Sequence, residues 1–191
     1  MKNYIVISLR MAAILAVITC GLYPLAVFAI AQIAFHDKAN GSFREFRGRV
    51  VGSELIGQNF ASDRFFHSRP SAAGSAGYDA TSSGGTNLGP TSKKLLDAIA
   101  ARVKAFDVRS NVPADAVTSS ASGLDPHISP QNAYAQAARV ARANGMSKAA
   151  VEAMIRERTE GRFLGLYGEP RVNVLALNVE LVQRRRDSGA R

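Results

Sequence analysis

The chain has 191 residues, with 24 Lys and Arg against 15 Asp and Glu, a formal net charge of +9 and a pI near 10.2. Once an apolar N-terminal stretch is set aside, enough chain remains for one domain with a real core, and the basic balance suits an anionic partner or a membrane surface. The only cysteine, Cys20, excludes an intramolecular disulfide framework and a cysteine-based zinc site, so stability must come from packing.

Residues 11–35, MAAILAVITCGLYPLAVFAIAQIAF, carry no charged side chain. At about 1.5 Å per residue, a helix of that length exceeds a hydrocarbon core of ~30 Å. Gly21 and Pro24 are tolerated in lipid, where Thr19 or a neighbouring helix satisfies a freed carbonyl. The competing reading is a cleaved secretory signal, with Lys2 and Arg10 as its basic region and Ala29-Ile30-Ala31 as its cleavage motif. Signal cores are much shorter than this run, which favours a retained transmembrane anchor. A short tail, residues 1–10, is expected in the cytoplasm and the domain outside it. Lys38, Arg44, Arg47 and Arg49 weigh locally for the opposite topology, but long domains cross largely regardless of charge.

Residues 36–48 read as a polar linker and 49–182 as the soluble domain, followed by a basic tail, 183–191. In RVVGSELIGQNF, residues 49–60, β-branched residues broken by Gly52 and Gly57 predict two short strands with a bend. From Ser68 to Thr91 small and polar residues dominate, with Tyr78 and Leu88 as the sizeable apolar anchors; loops of that length are functional or disordered. Leu95, Leu96, Ile99, Val103 and Phe106 then form one face of a helix over 92–106 that Thr91 or Ser92 can cap. A second loop, 111–130, carries a brief strand at Ala116–Thr118.

Ser129 followed by Pro130 predicts a helix over 130–143, ended at Asn144-Gly145. Ser147 caps another over 148–160, with Met146 and Val151 spaced as a hydrophobic staple, so the two make a helical hairpin. Val172 and Val174 alternate as in a strand, while Leu175, Val179 and Val182 have helical spacing, which leaves that boundary open. The class is α+β: one N-terminal transmembrane helix and one compact extracytoplasmic domain. Its small sheet joins the 49–60 region to the C-terminal strand, under about three to four helices.

Several stretches resemble sites of chemistry. From Gly84 the chain reads Gly-x-x-x-x-Gly-Pro-Thr, one residue short of a phosphate loop; Pro90 stands where the lysine belongs, and no buried strand leads in. A glycine turn feeding a helix is the simpler account, with Lys93 and Lys94 near a helix start that attracts anions. Asp125-Pro126-His127 is a tight Asp/His pair. A zinc site there would need His67 to converge on it, and the bland reading is that Asp125 closes a turn. Among the serines there is no Gly-x-Ser-x-Gly elbow, and sparse aromatic residues beside the basic clusters argue against nucleic acid and for lipid.

Read together, GSELIGQNF, FFHSRPSA with Tyr78, SGGTNLGPT, SSASGLDPHISPQNA, RVARANG and GEPRVNVLALNVEL resemble the C subunit of the Kdp-type potassium-transporting P-type ATPase, from the membrane segment to about Leu181. The resemblance implies an accessory, non-catalytic subunit in the bacterial inner membrane, contacting membrane lipids. Its partners would be a potassium-binding channel-like subunit, an ATP-hydrolysing P-type subunit and a small helical subunit. It further implies a role in assembly and as a catalytic chaperone that raises the pump subunit's affinity for ATP, with no covalently bound cofactor and no metal. Ser83, Gly84, Gly85 and Asn87 are the implied nucleotide or partner contacts, and Arg69, Pro70, Asp125 and His127 lie in the implied partner-interface loops. Many members carry glutamine where this chain has Ser82, and the pump-type Asp-Lys-Thr-Gly signature is absent. An extracytoplasmic loop cannot touch cytoplasmic ATP, so on that topology any effect on ATP is allosteric. The rival from another class is a membrane-anchored periplasmic hydrolase or ligand-binding protein using Asp125 and His127.

Overall fold

Apolar sequence and one proline shape the first part of the chain. The computed structural model describes residues 2–106 and 111–189; Met1 of the expected N-terminal tail and the last two residues of the expected C-terminal tail lie outside them. The chain divides into two compact units, Met1–Phe43 and Arg44–Arg191. In the first, α1 (Lys2–Ala16) and α2 (Tyr23–Ala34) are joined by a π-helical stretch, Val17–Leu22, into one apolar helix long enough to cross a membrane. Pro24 has no N–H to give and crowds the carbonyl one turn earlier, and a wider turn relieves that conflict. Tyr23 N–H accordingly reaches five residues back to Ile18, and Thr19 Oγ1 donates to the Leu15 carbonyl at 2.8 Å. The helix starts well before residue 11, taking in Lys2 and Arg10.

A single turn, α3 (His36–Ala39), follows. Next come β1 (Phe43–Phe46) and β2 (Arg49–Ser53), which among the described residues pair with each other alone. Arg47 and Gly48 between them have φ of 59° and 71°, the left-handed pair of a two-residue hairpin turn. Part of the expected linker is therefore strand. The 49–60 region supplies one strand, whose partner precedes it, and that strand does not join the C-terminal one.

The second sheet has the order β3–β5–β4, all antiparallel, from His127–Ile128, Arg171–Asn173 and Thr159–Glu160. Its central strand turns directly into α8 (Val174–Gly189), so the 172–182 region is a strand and then a helix. Asn173 makes the change: its backbone pairs with His127, and its side-chain oxygen accepts from Ala176 N at 3.0 Å as a helix cap. Thr159 and Glu160 leave the helix expected over 148–160 for the sheet, and the expected strand at 116–118 is instead part of a short helix, α5 (Ala114–Val117).

The helical hairpin forms as its caps dictate. Ser129 Oγ accepts from Asn132 N at the start of α6 (Pro130–Asn144), Gly145 takes φ 65° at its end, and Ser147 caps α7 (Lys148–Glu157). Met146 and Val151 pack into the same core. Earlier in the chain, α4 (Lys93–Ala105) has Ser92 at its cap position without a side-chain cap bond, and its predicted apolar face is only half covered. The core lies between α6, α7, α8 and the three-stranded sheet, with Phe66 inserted from a segment that has no regular structure.

That segment is held by side-chain amides. Asn178 on α8 accepts from Phe66 N at 2.8 Å and donates to Phe66 O at 3.0 Å. Gln136 on α6 does the same for His67, at 2.8 and 3.2 Å. Two buried carboxamides thus replace the missing neighbouring strand and satisfy four backbone groups.

Candidate functional site

Three loops with little regular structure converge beside this core: the chain around Gly57, the 68–87 stretch and the 119–127 stretch. Glycines let their backbones touch. Gly57 N donates to Leu124 O at 2.7 Å and Gly84 N to Ser122 O at 2.9 Å. A Cβ on Gly57 would sit 2.6 Å from the Asp125 carbonyl, and one on Gly85 2.9 Å from that of Ala121. Polar side chains complete the closure. Ser71 Oγ donates to Gly123 O at 2.6 Å and accepts from Ala73 N and Tyr78 N, while Tyr78 Oη donates to Arg69 O at 2.7 Å. The long Ser- and Gly-rich stretch is ordered by this network.

Arg69, Asp125 and His127 come together. Arg69 donates to Asp125 Oδ2 at 3.0 Å, and Asp125 Oδ1 accepts from His127 N at 3.0 Å, closing the expected turn, with the imidazole Nδ1 at 3.8 Å. Burial pushes the Asp125 carboxyl up, but the His127 imidazole and backbone N–H and the Arg69 guanidinium outweigh it, so the group titrates below its ordinary value of 3.8. A depressed folded-state value stabilises the fold above the unfolded value, and that stabilisation is lost as pH falls through the folded one. The urea midpoint of the chain should therefore drop on acidification below about pH 4. The drop should be smaller in Arg69→Gln, which starts lower at neutral pH; equal acid slopes would refute the pairing.

The same three residues edge a cleft of about 550 Å³ with Asp115, Glu169 and Arg171. Asp115 is committed to fold: it accepts from Ser129 N, Ser129 Oγ and Asn132 Nδ2 at 2.7 to 3.1 Å. His67 does not join them. It lies beside Gln136 and Arg139 in a different cleft, where burial and then the Arg139 charge lower its pKa. Pro70 also lies apart, with Tyr78 and Arg102 in a cleft of about 300 Å³.

Ser83, Gly84 and Gly85 run along the 121–123 backbone, where Ser83 Oγ donates to Ser122 O at 3.0 Å. Asn87 is exposed and left-handed at φ 51°, away from that contact. Lys93 is paired with Asp97 at 2.7 Å. The Gly84 amide and the Ser83 hydroxyl both donate to the neighbouring loop, at the Ser122 carbonyl.

One surface escaped the sequence reading. In RFLGLYGEP, Phe163, Leu164, Leu166 and Tyr167 all stand exposed on a tight loop. A bridge between Phe163 and Tyr167 holds it, and Arg162 pairs with both oxygens of Glu169 at its base. The available signal was four large apolar residues set among glycines, with no strand or helix period to bury them.

Comparison with known proteins gives one answer over most of the chain. The family model described as K+-transporting ATPase, c chain, matches residues 5–183. A potassium-transporting ATPase KdpC subunit of Koribacter versatilis is 49% identical over 184 residues, covering 95% of each chain. Those of Nitratidesulfovibrio vulgaris and Myxococcus xanthus are 52% identical over 179 residues and 53% over 183; they cover 91% and 93% of this chain, and 91% and 86% of their own length.

Proposed function

Because the chain belongs to the family of potassium-transporting ATPase c chains, we propose that it is the accessory subunit of an ATP-driven potassium uptake complex in a bacterial inner membrane. The match from residue 5 to 183 carries this reading, since it takes in the apolar helix and the loop cluster together. The chain is held by one transmembrane helix with its N-terminus in the cytoplasm and its domain outside. Its partners are a channel-like potassium-binding subunit, a P-type subunit that hydrolyses ATP and a small helical subunit.

The chain works by assembly rather than by turnover. The glycine-closed loops form a stiff surface with preset backbone shape, and the exposed 163–167 loop offers apolar anchors for a partner subunit. Arg69 and Asp125 fix the loops; Asp125 serves as an acceptor within the fold, which disfavours the hydrolase reading. Ser83, Gly84, Gly85 and Asn87 shape the loop surface that meets the potassium-entry subunit. Any rise in ATP affinity reaches the hydrolysing subunit through the conformational equilibrium of the complex.

Gentle detergent purification of the chain from its native membrane tests this. A P-type ATPase subunit and a channel-like subunit should co-purify, and their absence would sink the proposal. In the same membranes, Lys94→Cys in a Cys20→Ser background should label only from the extracytoplasmic side, since Lys94 is exposed on α4.

A further inference from the structure

Resting on the membrane-anchored reading above, we infer that the β1–β2 hairpin is a lipid-binding device that lies in the headgroup layer and prefers anionic phospholipid. A two-stranded ribbon is marginal in water and needs something to cover it. This ribbon leaves Phe43 63%, Val50 57% and Leu55 61% exposed, on β1, β2 and the turn that follows. Among the described residues it pairs only with itself, so no sheet among them covers either face.

Where the membrane helix ends decides the occupant. The apolar helix stops at Ala34, and the residues up to Phe43 are folded back on it rather than extended. Asn40 Nδ2 donates to Gln32 Oε1 at 3.0 Å and to His36 O at 2.8 Å, and Ser42 N donates to Asp37 O at 2.8 Å. Phe43, the first residue of the hairpin, therefore belongs to the same compact unit as the apolar helix, and only a short folded stretch of chain separates the hydrocarbon span from the ribbon. Charge agrees with this placement. Residues 43–53 hold Arg44, Arg47 and Arg49 against Glu45. Arg44 is paired with Glu54, whereas Arg47 stands in the turn and Arg49 directly after it, and the Arg47 guanidinium lies 5.6 Å over the Phe46 ring. Aromatic and aliphatic side chains beside arginines that reach past them are the composition of a membrane interface.

The chain has no tryptophan, so one introduced residue reports alone. The full-length chain would be placed in nanodiscs whose lipids are brominated near the headgroup end of their acyl chains, with and without phosphatidylglycerol. Val50→Trp and Leu55→Trp should shift to the blue and lose emission, more so with phosphatidylglycerol, and Arg49→Glu should remove that extra loss. Leu96→Trp, on exposed α4, should be unaffected, and Phe28→Trp within the span should be quenched throughout. If both hairpin tryptophans behave like Leu96→Trp while Phe28→Trp is quenched, the inference falls and the anchor stands. An unquenched Phe28→Trp would overturn both. Quenching that disappears in the intact ATPase complex would assign the hairpin to a protein partner and overturn the lipid assignment.

Discussion

Asn178→Leu should lower the unfolding free energy of the chain by about 3 kcal/mol. Leucine is close to asparagine in size, so the loss does not come from a cavity. It comes from Phe66, whose N–H and C=O both pair with the Asn178 carboxamide in a site where Phe66 is fully buried and Asn178 is 2% exposed. Each backbone group left without a partner costs roughly 1 to 3 kcal/mol. Asn178→Asp separates the two contacts, since it keeps an acceptor for the Phe66 N–H and loses the donor to its carbonyl. Thermal or urea unfolding of the detergent-solubilised chain, followed by circular dichroism, reads both variants. A leucine variant within about 0.5 kcal/mol of the parent would show that the amide does not hold this segment.

Gly123→Ala should cost a similar amount, about 3 kcal/mol, and loosen the loop cluster. Gly123 has φ 67°, which an L side chain adopts at a cost of roughly 1 to 2 kcal/mol. Its Cβ would also stand 2.6 Å from the Gly84 carbonyl oxygen and 2.7 Å from the Ala73 nitrogen, both backbone atoms that move only with their loops. Gly84→Ala is the matched comparison, because nothing lies within 4 Å of a Cβ there and its φ is not in the left-handed range. Gly84→Ala should leave stability unchanged. Assembly of the pump complex, measured by co-purification, should fall with Gly123→Ala and survive Gly84→Ala. The reverse order would mean that the 83–85 stretch acts through direct contact with a ligand rather than through loop shape.

The parts legible in sequence are those with local causes. Ser129-Pro130, Gly145 and Ser147 each act on the turn beside them, and the α6–α7 hairpin follows as read. The apolar helix was legible from composition, but its π-helical turn was not, because that turn answers a conflict in backbone geometry. The short strands β3, β4 and β5 contain two or three residues each, too few for any period to show. Val117 and Thr118 are β-branched, yet after Pro113 the chain closes one helical turn, with Thr118 Oγ1 donating back to Ala114 O at 2.7 Å.

In the candidate site, the Asp125–His127 turn is a local event and could be read from three residues. The Arg69–Asp125 pair joins positions 56 apart, and only the family resemblance had put both loops in one group. Ser71 and Gly123 were missed because a serine and a glycine in a serine- and glycine-rich stretch carry no contrast. Asn178 and Gln136 did offer a signal, as polar residues on the apolar faces of their helices, although nothing in sequence says which backbone they serve.

The carboxamide clamps also impose an order of events in time. Phe66 pairs with a residue 112 positions later, and His67 with one 69 positions later. At ordinary synthesis rates of about 5 to 20 residues per second, the first segment waits on the order of ten seconds for α8 to be made. Until then the Phe66 segment lacks its partner and the core stays open. A core that is completed from α8 backwards stays threadable while the residues before α8 are being synthesised, and it locks only after Asn178 has left the ribosome.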